Sequence, residues 1–525
     1  MASKTPPAFA ASLSLVLLIL SAVSAAPLAR EEAAGAISLP ARVAPTNPDG
    51  TFNLEAAKRL NRRVVEKHRQ NLMNLKENSG GELPQGMEIP DPASAPQDPV
   101  HVRRTEEQGG DTVNLPPHDP PTTSNGVFDS SKARELNHNA LAKYTQINSN
   151  SQNSDGTPQG TESSVKTGGT AGDQSSVKIR RGDKSDKKDE EGLTDEEGDV
   201  EWAGNIEIGT PKQKFLIDFD TGSSDLWVVD KSCTEGPCSN KKQKYDAGKS
   251  KTSKQESGTF SILYGDNSTV SGPIHSDTVT VKGVTAKDQK FSSVTTLSKS
   301  FADDPTAGIL GLAWPKISNL KATPWFLNAA EQGAVKTKEF GFHLSSGKGS
   351  ELYLGGTNPE LYEGSLEYHK VDPSDGFWKV LDASIYVGGK EAGKDFSTII
   401  DSGTTLMYGP PDAVKELFSK VDGAKLYDET EGFYSFPCDK VPEVSFSWGK
   451  KGKKFVIPSE NFNLGTTEKG SSSCVASLAA SNLGLGNAWL IGDSYMKGVY
   501  SGFRFGKEKI EEDAAVGFAE LKKKK

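Results

Sequence analysis

Cysteine, methionine and long apolar runs are all scarce in this chain. Of 525 residues, four are Cys, five are Met and seven are His. No Cys or His group stands at metal-ligand spacing, and Gly484-Leu485-Gly486 lacks the rest of a dinucleotide fingerprint, so neither a metal nor a cofactor is expected. No nucleophilic Ser or Cys constellation stands out either. Hydrophobic residues make up 34%, low for a wholly packed chain, which predicts that part of it stays unfolded. The one apolar run, Leu13 to Leu20, follows Lys4 and precedes the small residues Val23-Ser24-Ala25-Ala26. That layout reads as a signal peptide over residues 1–25, too short to span a membrane comfortably. With no second run and a tail of Lys522 to Lys525, neither a membrane span nor a lipid anchor is expected, and the product should be secreted or, alternatively, sent to a vacuole or other acidic compartment. Residues 201–525 carry 39 Lys and Arg against 42 Asp and Glu, a net of −3 (39 − 42), which argues against nucleic acid or an anionic membrane as partner.

What the chain does contain is a repeat. Phe219-Asp220-Thr221-Gly222-Ser223-Ser224 is matched by Ile400-Asp401-Ser402-Gly403-Thr404-Thr405. An apolar pair and Gly trail each copy: Ile309-Leu310-Gly311 and Leu490-Ile491-Gly492. Asp220 to Gly311 and Asp401 to Gly492 are both 91 positions (311 − 220 and 492 − 401). Two acidic turns with equally spaced partners read as an internal duplication, two related lobes each giving one carboxylate. Around them Ile206, Ile208, Phe215, Ile217 and Phe219 alternate with polar residues, the period of half-buried strands. Short helices are expected at Trp325–Gln332 and Asp412–Val421, the latter with Asp412 as candidate cap.

The paired Asp motifs resemble those of the pepsin-like aspartic proteases, in their fungal secreted form with a long prosegment. So do Ile208-Gly209-Thr210-Pro211, Asp225-Leu226-Trp227-Val228, Tyr264-Gly265-Asp266, Trp489-Leu490-Ile491-Gly492-Asp493 and Val516-Gly517-Phe518-Ala519. The resemblance covers about residues 200–519. It implies an all-β bilobal fold, with an N-terminal lobe over 200–370, a C-terminal lobe over 371–519 and the crossing near Pro373-Ser374-Asp375-Gly376. It implies an aspartic endopeptidase that hydrolyses extended protein or peptide substrates at acidic pH, as a monomer; the alternative is a pepsin-like binding protein without catalysis. Asp220 and Asp401 would be catalytic. Thr221 and Ser402 would bond across the lobe interface, and Ser223 and Thr404 would donate to the outer carboxylate oxygens. Tyr264, Gly265 and Asp266 would form a flap over substrate, with Tyr264 bonded to Trp227 and with Phe301 and Ile309 as pocket walls. Thr306-Ala307-Gly308 lacks the family's usual Phe or Asp, so one pocket should be roomier. Asp266 could pair with a substrate Lys. Asn267 opens the sequon Asn267-Ser268-Thr269, which on a flap tip is expected to stay largely unglycosylated. Four cysteines allow three connectivities; pairing within lobes gives Cys233–Cys238 and Cys438–Cys474, which is also the family's pattern.

Ahead of the lobes the chain changes character. Residues 54–76 read as a helix with Leu54, Leu60, Val64, Val65, Leu72 and Leu75 on one side and Lys58, Arg59, Arg62, Arg63, Lys67, Arg69 and Lys76 on the other. Preceding a carboxylate-bearing cleft, it is read as part of an inhibitory prosegment within residues 26–181, the protein's own intramolecular partner. Leu136 to Tyr144 resembles the Lys-Tyr end of pepsin-family prosegments, which assigns Lys143 and Tyr144 to the catalytic carboxylates. Residues 79–130 and 145–181 read as disordered linker, rich in Pro, Ser, Asn, Gln and Gly. Arg180-Arg181 is the expected processing site. An acidic extension (182–199) and a basic tail (520–525) flank the lobes.

Overall fold

The computed structural model describes residues 35–39, 45–90, 203–263, 269–302, 304–346 and 349–523. All belong to one unit, Met1–Asp98 with Thr194–Lys525; the other unit, Pro99–Leu193, lies outside the described residues, as do the expected signal peptide and acidic extension.

The fold is all-β and bilobal. In the first lobe a seven-stranded sheet runs Ala203–Ile208, Gln213–Asp220, Gly308–Gly311, Leu226–Val229, Val284–Val294, Thr269–Val281, Lys254–Leu263. Its strands follow the alternation in the sequence: Phe215, Ile217 and Phe219 are all buried. In the second lobe a seven-stranded sheet runs Phe455–Val456, Val444–Trp448, Lys379–Val387, Lys390–Ile400, Trp489–Ile491, Met407–Gly409, Leu478–Ala480, beside a four-stranded sheet over residues 425–476.

The equal spacing of the motifs is a strand register. Asp218, Phe219 and Asp220 pair in parallel with Ile309, Leu310 and Gly311. Thr398, Ile399 and Ile400 pair in parallel with Trp489, Leu490 and Ile491. Each apolar strand then lies antiparallel to the strand leaving its Asp turn, Leu226–Val229 or Met407–Gly409. Each Asp therefore sits at the end of a central strand. Gly is required at 311 and 492 because a Cβ there would collide with backbone of the Ser223-Ser224 turn or with the Thr404 and Leu406 carbonyls.

A six-stranded sheet joins the lobes: Gly35–Leu39, Ser350–Leu354, Glu339–His343, Val499–Arg504, Ala515–Glu520, Glu367–Lys370. Above it Trp314, Trp378, Phe340, Phe503 and Phe505 make one aromatic cluster, with Trp314 to Phe505 and Trp378 to Phe505 centroids both 4.7 Å apart. Each large ring removes roughly 150–250 Å² from water. The chain crosses between lobes through a 3-10 turn at Pro373–Asp375 closed by Gly376 at φ 83°. Both disulfides form, Cys233–Cys238 and Cys438–Cys474.

Helices lie at Trp325–Glu331 and Pro411–Phe418. Asp412 does not cap the second: the cap position is Pro410 without a side-chain bond, and Asp412 occupies the first turn, where a carboxylate complements the helix dipole. Helix α1 spans Leu54–Asn78, opened by Asn53, whose side chain accepts from Ala56 N at 2.9 Å. Residues 79–90 depart from the linker expectation. Leu83, Met87 and Ile89 pack on the core, and Glu88 N donates to Gly484 O at 3.0 Å. Their few apolar residues find a ready surface on the second lobe, so composition alone underrates them. No described helix is long and apolar enough to cross a membrane.

Candidate active site

The two Asp turns meet at the lobe interface and exchange equivalent contacts in both directions. Thr221 Oγ1 donates to Ile400 O at 2.9 Å and Ser402 Oγ to Phe219 O at 2.8 Å. The backbone closes the exchange, with Thr221 N bonded to Ser402 Oγ at 3.1 Å and Ser402 N to Thr221 Oγ1 at 2.9 Å. Each carboxylate is then gripped within its own turn. Asp220 accepts from Gly222 N (2.8 Å) and Ser223 Oγ (2.6 Å), and Asp401 from Gly403 N (2.8 Å) and Thr404 Oγ1 (2.7 Å). A Cβ on Gly222 would run into Asp401 and one on Gly403 into Asp220, so the missing side chains are what let the carboxylates face each other.

Helix α1 lies over this pair. Lys67 Nζ is 3.1 Å from Asp220 Oδ1 and 2.9 and 2.7 Å from the two oxygens of Asp401. The fully buried His68 follows, its Nε2 3.5 Å from Asp401 Oδ2 and its ring 5.5 Å from that of Phe377. Burial opposes ionisation of both carboxyls. At Asp220 burial prevails over the pull of Lys67, and the Asp401 charge adds to the rise. At Asp401 burial is outweighed by the charge and hydrogen bonds of Lys67 and by the His68 ring beside it, which hold it well below the usual carboxylate range. Burial pushes the His68 pKa down, against the pull of Asp401, which keeps the ring neutral.

The lysine at the carboxylates is Lys67, whereas the family resemblance points to Lys143. Lys143, Tyr144, Arg180 and Arg181 lie outside the described residues. The signal missed was a Lys-His pair inside the basic helix, in place of a Lys-Tyr pair.

Two buried carboxyls from duplicated turns, tied together across the lobe interface by a reciprocal hydroxyl exchange, are placed to polarise a water between them. A family model described as eukaryotic aspartyl protease matches residues 201–516. The chain belongs to the eukaryotic aspartyl protease family. It is similar to an aspartic protease of Phaffia rhodozyma, 40% identical over 333 residues, covering 62% of this chain and 78% of that one. Rhizopuspepsin-1 of Rhizopus niveus is 35% identical over 314 residues, 59% of this chain and 77% of its own. Secreted aspartyl protease 1 of Malassezia globosa is 34% identical over 333 residues, 62% of this chain and 77% of its own. The protein is a pepsin-like aspartic endopeptidase by family.

Around the protease dyad, α1 meets groups from both lobes. On the first, Trp227 and Phe301 pack edge to face at 5.3 Å, and half-buried Ile309 lies on the strand beside Asp220. Arg63 Nη2 sits 3.2 Å from Asp304 Oδ2. On the second, Asn61 Nδ2 donates to Glu431 Oε2 at 3.0 Å and Tyr408 Oη donates to Asn61 Oδ1 at 2.6 Å. Neither Asp304 nor Glu431 was found from sequence, since single acids in loops carry no pattern. The hairpin Lys254–Leu263 with Thr269–Val281 is antiparallel up to the pair Leu263 and Thr269. Its tip, with Tyr264, Gly265, Asp266 and Asn267, lies outside the described residues. Among the described residues no group of three or more His, Cys, Asp or Glu is arranged to hold a metal.

Proposed function

We propose that the chain is the precursor of a secreted, monomeric aspartic endopeptidase, with α1 as its built-in inhibitor. The observation that carries this reading is the contact of Lys67 Nζ with both carboxylates, which would exclude a water from between them. Once α1 leaves, Asp220 and Asp401 share one proton. The ionised carboxylate takes a proton from water as it attacks the scissile carbonyl, and the protonated one donates to the carbonyl oxygen. No covalent intermediate forms. Thr221 and Ser402 keep the pair coplanar; Ser223 and Thr404 steady the outer oxygens. Acid favours release because docking relies on an ionised Asp401 and a neutral His68, and both conditions fail as pH falls. Cleavage near Arg180-Arg181 then separates the prosegment. Secretion is supported by the apolar leader-like run and by a relative named as secreted.

The test is expression of the full chain, held at neutral pH and then acidified, with cleavage of a denatured protein followed with and without pepstatin. The expected result is little activity at neutral pH, then pepstatin-sensitive activity as the N-terminal mass is lost. Full activity at neutral pH with residues 45–90 still attached would refute the inhibitor reading. No activity at any pH would favour a non-catalytic binding protein.

A further inference from the structure

We propose that Asp304 and Phe301 form a subsite on the first-lobe wall that takes a cationic side chain of the substrate, Arg or Lys. This rests on the reading of α1 as an occupant of the substrate cleft. In the docked state the subsite holds Arg63. Its Nη2 is 3.2 Å from Asp304 Oδ2, and its Cζ lies 4.7 Å over the Phe301 ring. The guanidinium is thus placed between a carboxylate and an aromatic face, the two groups that best recognise a planar cation.

The site is built rather than incidental. The Asp304 side chain is 1% exposed. Its other oxygen, Oδ1, accepts from Thr306 N at 2.7 Å and Thr306 Oγ1 at 2.6 Å, which aims Oδ2 at the Arg63 side. Buried Lys241 donates to the Asp304 carbonyl oxygen, and its Nζ is 4.0 Å from Oδ1, a resident countercharge for a buried carboxylate. Phe301 is held edge-on by Trp227 at 5.3 Å. None of these supporting contacts involves α1. When α1 leaves, the place of the Arg63 guanidinium passes to the substrate. At Thr306-Ala307-Gly308, where the resembling family usually carries Phe or Asp, Thr306 instead orients Asp304, so the pocket is selective for charge as well as roomier.

The experiment has two arms. In the first, the acid-activated enzyme is given extended peptides that differ only in Arg, Lys or Leu at each position before the scissile bond, and the ratio of kcat/KM for Arg to Leu is read. At one position the ratio should exceed one and fall by about tenfold in Asp304→Asn, with a smaller fall in Phe301→Leu. Because the ratio is taken within one preparation, loss of folded enzyme cancels. In the second arm, binding of a 45–90 peptide to activated enzyme is compared with its Arg63→Met form. Arg63→Met should weaken binding to the wild type by about tenfold and to Asp304→Asn hardly at all. An active wild type with no Arg preference at any position, or Arg63→Met losses equal in both enzymes, would overturn the subsite and leave the protease reading standing. A wild type that cleaves nothing, yet shows the expected binding coupling, would sink the protease reading while supporting the cation subsite.

Discussion

At Lys67 one side chain bridges two carboxylates from opposite lobes, and under the proposed function its neighbours would decide when it lets go. Asp220→Asn and Asp401→Asn should each lower kcat of the activated enzyme by about 10²–10⁴-fold or more, because each removes one half of the acid–base pair. Circular dichroism of the variants should match the wild type, as the Asn side chain keeps the turn contacts. In the proposed acid release, His68 would set the onset. Its ordinary value is 6.5 and burial lowers it in the docked state, so docking is undiminished above 6.5 and weakens as pH falls below it. The slope is up to about 1.4 kcal/mol, tenfold, per pH unit. The groups facing His68 are Asp401, Asp220, Lys67 and Phe377. Asp401, held low, loses its contribution only as pH falls through 3.8 and below, and Asp220, raised, pulls the opposite way in acid. His68→Phe, which keeps the packing on Phe377, should therefore move the activation midpoint to lower pH in a stopped-time activation assay. A midpoint unchanged by His68→Phe would remove His68 from the trigger.

As an element, α1 differs from an ordinary surface helix because about half of its buried stripe is polar. Ala57, Asn61, Val64, His68, Asn71, Leu72 and Leu75 fall on one face at helical spacing, and Asn74 beside them is also buried. Asn71 Nδ2 donates to Gly222 O at 2.7 Å, Asn74 Nδ2 to Ile317 O at 3.0 Å, and Asn78 Nδ2 to Lys316 O at 2.8 Å. These amides do not titrate, so they fix the helix in register while Asp401 and His68 would supply the pH response. Asn71→Ala or Asn74→Ala in a 45–90 peptide should weaken inhibition of the activated enzyme by roughly 5–100-fold, about 1–3 kcal/mol, since a buried carbonyl loses its donor. The factor should be the same at pH 5 and pH 7; a strongly pH-dependent factor would contradict the division of roles. Helical periodicity made α1 legible in the sequence. Its buried face was not, because Asn is a poor helix former and reads as a solvated residue until its acceptor is known.

Across the whole molecule, one sheet ties the lobes together and takes a strand from ahead of α1. Ala515–Glu520 lies inside it, between Val499–Arg504 and Glu367–Lys370, whereas Gly35–Leu39 is at its edge. Phe518 on the inner strand is fully buried and stacks on Trp448 at 4.4 Å. Phe518→Ala should lower the unfolding free energy by about 3–5 kcal/mol, measured by denaturant titration of the activated enzyme. The disulfides should rank by the loop each closes. Cys438→Ser with Cys474→Ser opens a 36-residue separation, and Cys233→Ser with Cys238→Ser a separation of 5. In the chain-entropy account the first pair is worth about 3–4 kcal/mol and the second less, so Tm should fall further for the first. Equal losses would point to an enthalpic origin.

The duplicated Asp turns, the two lobes and the strand alternation were all legible because each is a regularity along the chain. The 91-residue spacing is a parallel register, and a register is written in residue numbers. Phe215, Ile217 and Phe219 declare their buried face by period two, whatever they pack against. The partner of a given charge is not written that way. Lys67 and Lys143 are both lysines ahead of a ring in a segment of mixed polarity, and only the folded path of 45–90 across the cleft brings Lys67 to Asp220 and Asp401. The same holds for Arg63 on Asp304 and Asn61 on Glu431, 241 and 370 positions apart. Contacts at such separations depend on how whole sheets are placed, so tertiary structure alone decided which residues of α1 touch the two carboxylates and which meet the walls beside them.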